Sequence, residues 1–82
     1  MPVVNITEPA FDDISKLDKK TRERIYEAIE KLSRGIIRSD KLKGGKGYKV
    51  KSGKYRILWS YNEDGSIRID RIKLRKVVYR NL

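Results

Sequence analysis

The sequence predicts an α+β fold: an N-terminal strand, a layer of two antiparallel helices, then a three-stranded antiparallel meander packed on those helices, with room for a short C-terminal element. Three observations predict it. Apolar residues recur at helical spacing between residues 11 and 32; they alternate at strand spacing from residue 48 onward; and the formal charge of +10 lies wholly in the second half of the 82 residues. A chain of this length is expected to form one domain, residues 1–82, burying only about two thirds of its unfolded surface.

Pro2 to Ile6 is short and β-branched and reads as the first strand. Thr7 is the expected N-cap of the first helix, Pro9 falls in its first turn where a missing N–H costs little, and Phe11, Ile14 and Leu17 recur at three-residue steps up to an end near Leu17. Asp18 caps a second helix on which Ile25, Ala28, Ile29 and Leu32 form one apolar face, and Gly35 is its stop. The Glu and Asp residues of both helices have no converging partner and read as solvated faces. The stretch Asp40 to Gly47 reads as a flexible Gly/Lys connector; Lys46 is followed by Gly47, so the Gly-Lys-Ser/Thr ending of a phosphate-binding loop is absent.

Tyr48 to Tyr61 alternates as two strands with Ser52-Gly53 as the hairpin turn. That register pairs Lys51 with Lys54, Val50 with Tyr55 and Lys49 with Arg56. Tyr48, Val50, Tyr55, Ile57 and Trp59 then share the core face, and Lys49, Lys51, Lys54 and Arg56 the opposite one. The third strand runs from about Ser66 to Leu74. With a four-residue loop at Asn62–Gly65, Arg71 lies opposite Arg56 and joins the basic face with Lys73, whereas a three-residue loop reverses that parity. Tyr61, at a strand end, is expected to be exposed.

Residues 1–40 carry eight basic and eight acidic side chains, and residues 41–82 carry thirteen basic and three acidic. Segregated charge of this kind is a footprint for a polyanion, nucleic acid first. The sequence has no Cys and no His, which removes disulfide frameworks, the usual zinc sites, thiol nucleophiles and Ser-His triads. No cofactor or metal is expected. Apolar runs are far shorter than a membrane span and the N-terminus lacks a signal pattern, so a cytoplasmic protein is expected. Crowded cations favour loss of a lysine proton, which makes a lysine a usable general base, while an arginine stays charged and stabilises a pentacoordinate phosphorane. Charge and spacing alone favour phosphate binding over catalysis.

The order strand, two helices, Lys41-Leu42-Lys43-Gly44, Tyr48-Lys49-Val50-Lys51, Gly53-Lys54-Tyr55-Arg56-Ile57, then a last strand followed by Arg75 and Val78-Tyr79 resembles the RelE/ParE superfamily of type II toxin–antitoxin toxins. It is most similar to the RelE-type mRNA interferases. The resemblance implies a ribosome-dependent, metal-free endoribonuclease that cuts mRNA in the A site, neutralised by an antitoxin whose acidic or amphipathic segment covers the basic face. ParE-type members share the fold and inhibit DNA gyrase, and a nonenzymatic RNA-binding module is the reading outside toxins. Carried over by position, the catalytic set is Lys49, Lys51 as base, Arg56 for transition-state charge, Arg75 for the leaving group or phosphate, and Tyr79 to orient a nucleotide. A guanidinium is a poor proton donor, so Arg75 suits charge stabilisation better than proton donation. Lys43, Lys46, Lys54, Arg71, Lys73, Lys76 and Arg80 are the expected RNA contacts.

Overall fold

The computed structural model describes residues 3–42, 44 and 47–74. Val4–Ile6 forms β1, Glu8–Ser15 α1, Lys19–Ser33 α2, Asp40–Lys41 β2, Tyr48–Ser52 β3, Tyr55–Tyr61 β4 and Ile67–Leu74 β5. The expected meander is present and is extended at both edges into five strands in the order β1-β5-β4-β3-β2. β1 runs parallel to β5 and every other pair is antiparallel. Part of the expected connector is thus ordered sheet, since Asp40 pairs with Lys49 and Lys41 with Tyr48.

Thr7 caps α1 as expected, accepting from Ala10 N at 3.3 Å, and its own hydroxyl donates to Ile69 O at 2.8 Å. The apolar face of α1 differs from the three-residue pattern: Ala10 and Ile14 are buried, while Phe11 is 58% exposed. At about 100° per residue, Ala10, Ile14 and Leu17 cluster on one line and Phe11 lies a quarter-turn away. Asp18 has the extended backbone of an N-cap, but its carboxylate accepts from the Thr21 hydroxyl rather than from a helix N–H.

Ala10 and Ile14 of α1 and Ile25, Ala28, Ile29 and Leu32 of α2 pack on Val50, Ile57, Trp59, Ile67, Ile69 and Ile72 of the sheet. One face of the sheet is therefore core. Trp59 stacks on Tyr48 with ring centroids 4.6 Å apart, meets Tyr61 edge-on at 5.0 Å, and donates its indole N–H to Ser39 Oγ at 2.7 Å. Tyr61 is 55% exposed, as expected of a strand end.

Two registers differ from the sequence expectation. Lys51 pairs with Arg56, Val50 with Ile57 and Lys49 with Leu58, because the turn residues are Gly53 and Lys54. Gly53 has φ +59° and leads the turn, the position where tight hairpins demand a left-handed residue. The observed register is displaced by two residues from the expected one, which leaves each side chain on the same face. In β5, Tyr61 pairs with Ile67 and Trp59 with Ile69, after which a β-bulge makes Leu58 pair with Arg71 and Arg56 with Lys73. Ile67, Ile69 and Ile72 are separated by two and then three residues, and only one inserted residue keeps all three in the core.

Candidate nucleic-acid interface

The bulge and the hairpin register together align three cations. Lys51 of β3, Arg56 of β4 and Lys73 of β5 are direct cross-strand neighbours in one row on the sheet face opposite the helices. Lys49, Leu58 and Arg71 form the next row. Directly opposed side chains sit about 5 Å apart at Cβ, so like charges in such a row repel and attract a shared anion.

This face was expected to be an open basic surface, and Arg56 corrects that. Its side chain is 2% exposed, the largest fully buried one among the described residues. Nη1 donates to the neighbouring Tyr55 O at 3.4 Å, while Nε and Nη2 are buried with no hydrogen-bond partner among the described residues. Those two nitrogens form the lateral fork of the guanidinium, which matches the two oxygens of a carboxylate or a phosphate. Lys51 beside it is exposed and also borders a depression of about 430 Å³ lined by Ile37, Arg38 and Asp40. Lys73 on the other side is half-buried.

Arg71 shows the same fork in use. Its Nε and Nη2 donate to Asp13 Oδ2 and Oδ1 at 2.8 and 3.1 Å, and Asp13 Oδ2 also accepts from Ile72 N at 3.0 Å. Arg71 thus lies opposite Leu58 rather than Arg56 and is held by α1, so the structure does not bring it into the cation row as expected. Asp13 likewise corrects the reading of the helix acids as solvated, for its side chain is only 15% exposed. The helical periodicity holds the signal for it: Asp13 lies about 60° from Ala10, on the flank of the buried face. Lys54 is in the hairpin turn, its ammonium 6.0 Å from the centre of the Tyr55 ring, and so leaves the strand face where it was expected.

At the far end of the same face Arg68 is neutralised locally. It donates to Asp70 Oδ1 at 2.7 Å and to Ser60 Oγ at 2.9 Å, and Ser60 donates to Asp70 Oδ2 at 2.8 Å. Asp70 falls at the bulge, and this network closes the basic strip there. Arg75, Tyr79, Lys43, Lys46, Lys76 and Arg80 lie outside the described residues. Among the described residues no helix is long and apolar enough to cross a membrane.

The Arg71 guanidinium, foremost, holds the Asp13 carboxyl below its ordinary value, with the Ile72 N–H and the Lys73 charge acting in the same sense and burial opposing them. A carboxyl depressed by folding contributes stability that is full above its unfolded value, near 3.9, and is lost as pH falls through the lower folded value. Asp13→Asn is therefore expected to melt roughly 5–10 °C below the parent at pH 7. In thermal melts followed by circular dichroism the gap should close as the pH drops below about 4; a gap independent of pH would contradict the ion pair.

Two helices packed on one face of a mixed five-stranded sheet, with a cation row on the other face, define a small α+β class. The chain is RelE-like: its structural neighbours are RelE toxins of toxin–antitoxin systems, bearing out the resemblance drawn from the sequence. It matches the RelBE2 toxin–antitoxin complex of Mycobacterium tuberculosis with a TM-score of 0.76 and 26% identity, over 92% of this chain and 100% of that one. The archaeal RelE–RelB complex of Pyrococcus horikoshii OT3 matches with a TM-score of 0.73 and 28% identity, over 90% and 94%. The isolated RelE toxin of E. coli shares the fold with a TM-score of 0.70 and 22% identity over the whole of both chains. No protein-family model and no curated protein matches the sequence.

Proposed function

We propose that this chain is the toxin of a toxin–antitoxin pair and a ribosome-dependent endoribonuclease that cleaves mRNA in the A site, acting in the cytoplasm and held inactive by a protein antitoxin over its basic face. The observation that carries this reading is the buried fork of Arg56, set between Lys51 and Lys73 and without a partner among the described residues. Burying a charge in this way is costly, and an oxyanion that accepts two hydrogen bonds offsets that cost. Solved neighbours that are complexes of RelE with RelB, and of YoeB with YefM, support an antitoxin as the partner.

In this mechanism Arg56 holds the two non-bridging oxygens of the scissile phosphate. Lys51, in its amine form, takes the proton of the ribose 2′-OH, and the 2′ oxygen attacks phosphorus. The bond to the 5′ oxygen breaks, that oxygen takes a proton from solvent, and the products are a 2′,3′-cyclic phosphate and a 5′-hydroxyl. Arg56 and Lys73 neutralise the charge that grows on the phosphorane, an effect strongest in a site sheltered from water. Lys49, Arg75 and Tyr79 keep the roles the family resemblance implies. The ribosome positions the mRNA and lowers the entropic cost of the in-line geometry.

In-vitro translation with primer-extension mapping tests this. The protein should create new mRNA ends in phase with the reading frame, and Lys51→Ala should lower their yield by about 10²-fold or more. Growth arrest without new mRNA ends but with DNA damage would move the target to gyrase. Salt-sensitive RNA binding without products would reduce the chain to a binding module.

A further inference from the structure

Helix α1 lies along the edge of β5 that faces away from β4. β1 pairs with β5 only at Ile67–Ile69. At the end of that pairing Ile69 O accepts from Thr7 N at 3.2 Å, and from there on two side chains meet the backbone groups of this edge: Thr7, the N-cap of α1, and Asp13 in its second turn. Thr7 Oγ1 lies 2.8 Å from Ile69 O and 3.2 Å from Asp70 O, and Asp13 accepts from Ile72 N at 3.0 Å. The spacing is matched: six residues of helix from Thr7 to Asp13 rise about 9 Å, and three residues of strand from Ile69 to Ile72 rise about 10 Å. The helix thereby grips β5 on both sides of the bulge. The bulge in turn decides which face Lys73 occupies, because without the inserted residue the parity of the strand beyond it reverses.

We infer that Asp13 is a positioning residue, which through the Ile72 N–H holds β5 in the register that sets Lys73 beside Arg56. Arg71 has a supporting part: its bidentate grip orients the carboxylate so that Oδ2 faces the strand edge. The inference rests on the cleavage reading for its functional consequence, while its structural content concerns only the anion fork.

Two arms keep those apart. In the first, inorganic phosphate is titrated into the full-length protein and the Arg56 and Lys73 side-chain resonances are followed by NMR. Asp13→Ala is expected to weaken phosphate binding at least about fivefold and to speed exchange of the Ile72 amide. Asp13→Asn, which keeps an acceptor for that amide, should stay within about threefold of the parent. In the second arm, single-turnover cleavage on programmed ribosomes should show a maximal rate about 10–100-fold lower for Asp13→Ala, with the half-saturating ribosome concentration changed less than about twofold. An amide-to-ester replacement at Ile72, which removes the donor alone, should reproduce the alanine result and decides the matter should that variant not fold. Phosphate affinity unchanged in a folded Asp13→Ala or in the ester overturns the inference, as does an equal loss in Asp13→Asn, which would trace the effect to charge. A parent protein that binds phosphate but cuts no mRNA overturns the cleavage reading, and the phosphate arm still decides the role of Asp13.

Discussion

Arg56→Met is expected to destroy activity and raise stability at once. The guanidinium is 2% exposed, its Nε and Nη2 have no partner among the described residues, and cross-strand neighbours Lys51 and Lys73 add like charge. Methionine fills a similar volume with an unbranched chain and leaves no polar atom to desolvate. Replacing buried ionic groups with apolar residues of similar volume is often neutral or stabilising by about 1–4 kcal/mol, so Arg56→Met should be more stable than the parent by about 1–3 kcal/mol and unfold at a higher denaturant concentration. Loss of one preorganised donor set typically lowers turnover about 10²–10³-fold, and primer extension on translated mRNA should show at least that. A variant that loses stability would mean Arg56 is satisfied within the fold; one that cleaves normally would remove it from the site. The opposed signs reflect a site that keeps a costly charge for its ligand.

The second large effect is at Trp59. It is 4% exposed, stacks on Tyr48, and donates to Ser39 Oγ, which in turn donates to Lys49 O at 3.3 Å. One side chain thus joins the core to the strand that carries Lys49 and Lys51. Trp59→Ala should cost about 4 kcal/mol, the usual range for a large aromatic in a core, and lower the melting temperature by roughly 20 °C in a domain this small. That is a large share of the whole stability of a chain of this length. Trp59→Phe keeps most of the ring packing and should lose only about 1–2 kcal/mol, chiefly the indole hydrogen bond. Urea unfolding followed by far-ultraviolet circular dichroism measures both; a loss below about 1 kcal/mol for Trp59→Ala would mean that the stack is not structural.

Local periodicity carried much of the fold. The apolar face of α2 and the separation of Val50, Ile57 and Trp59 from Lys49, Lys51 and Arg56 follow from spacings of two or about four residues, and the cap at Thr7, the N-cap position of Asp18 and the stop at Gly35 follow from residue type. Those separations are unchanged by a register shift of two, so alternation specifies the face of the cations but not their cross-strand partners. β2 was hidden because two residues have no period of their own, and their pairing is set by β3. The bulge had a legible trace in the Ile67, Ile69, Ile72 spacing.

The site was legible in kind and not in arrangement. By itself the sequence determined that any chemistry here must use lysine, arginine, tyrosine, aspartate or glutamate, since it contains neither histidine nor cysteine, and that lysines and arginines gather on the face of the sheet away from the helices. Only the tertiary structure decided that Arg56 is buried with its fork unpaired, that Lys73 and not Arg71 stands beside it, and that Asp13 draws Arg71 toward α1. The reason is physical. Face assignment depends on side-chain alternation within a strand, whereas register depends on the turn and bulge between strands, and the Arg71–Asp13 pair joins groups 58 residues apart whose meeting no local spacing specifies.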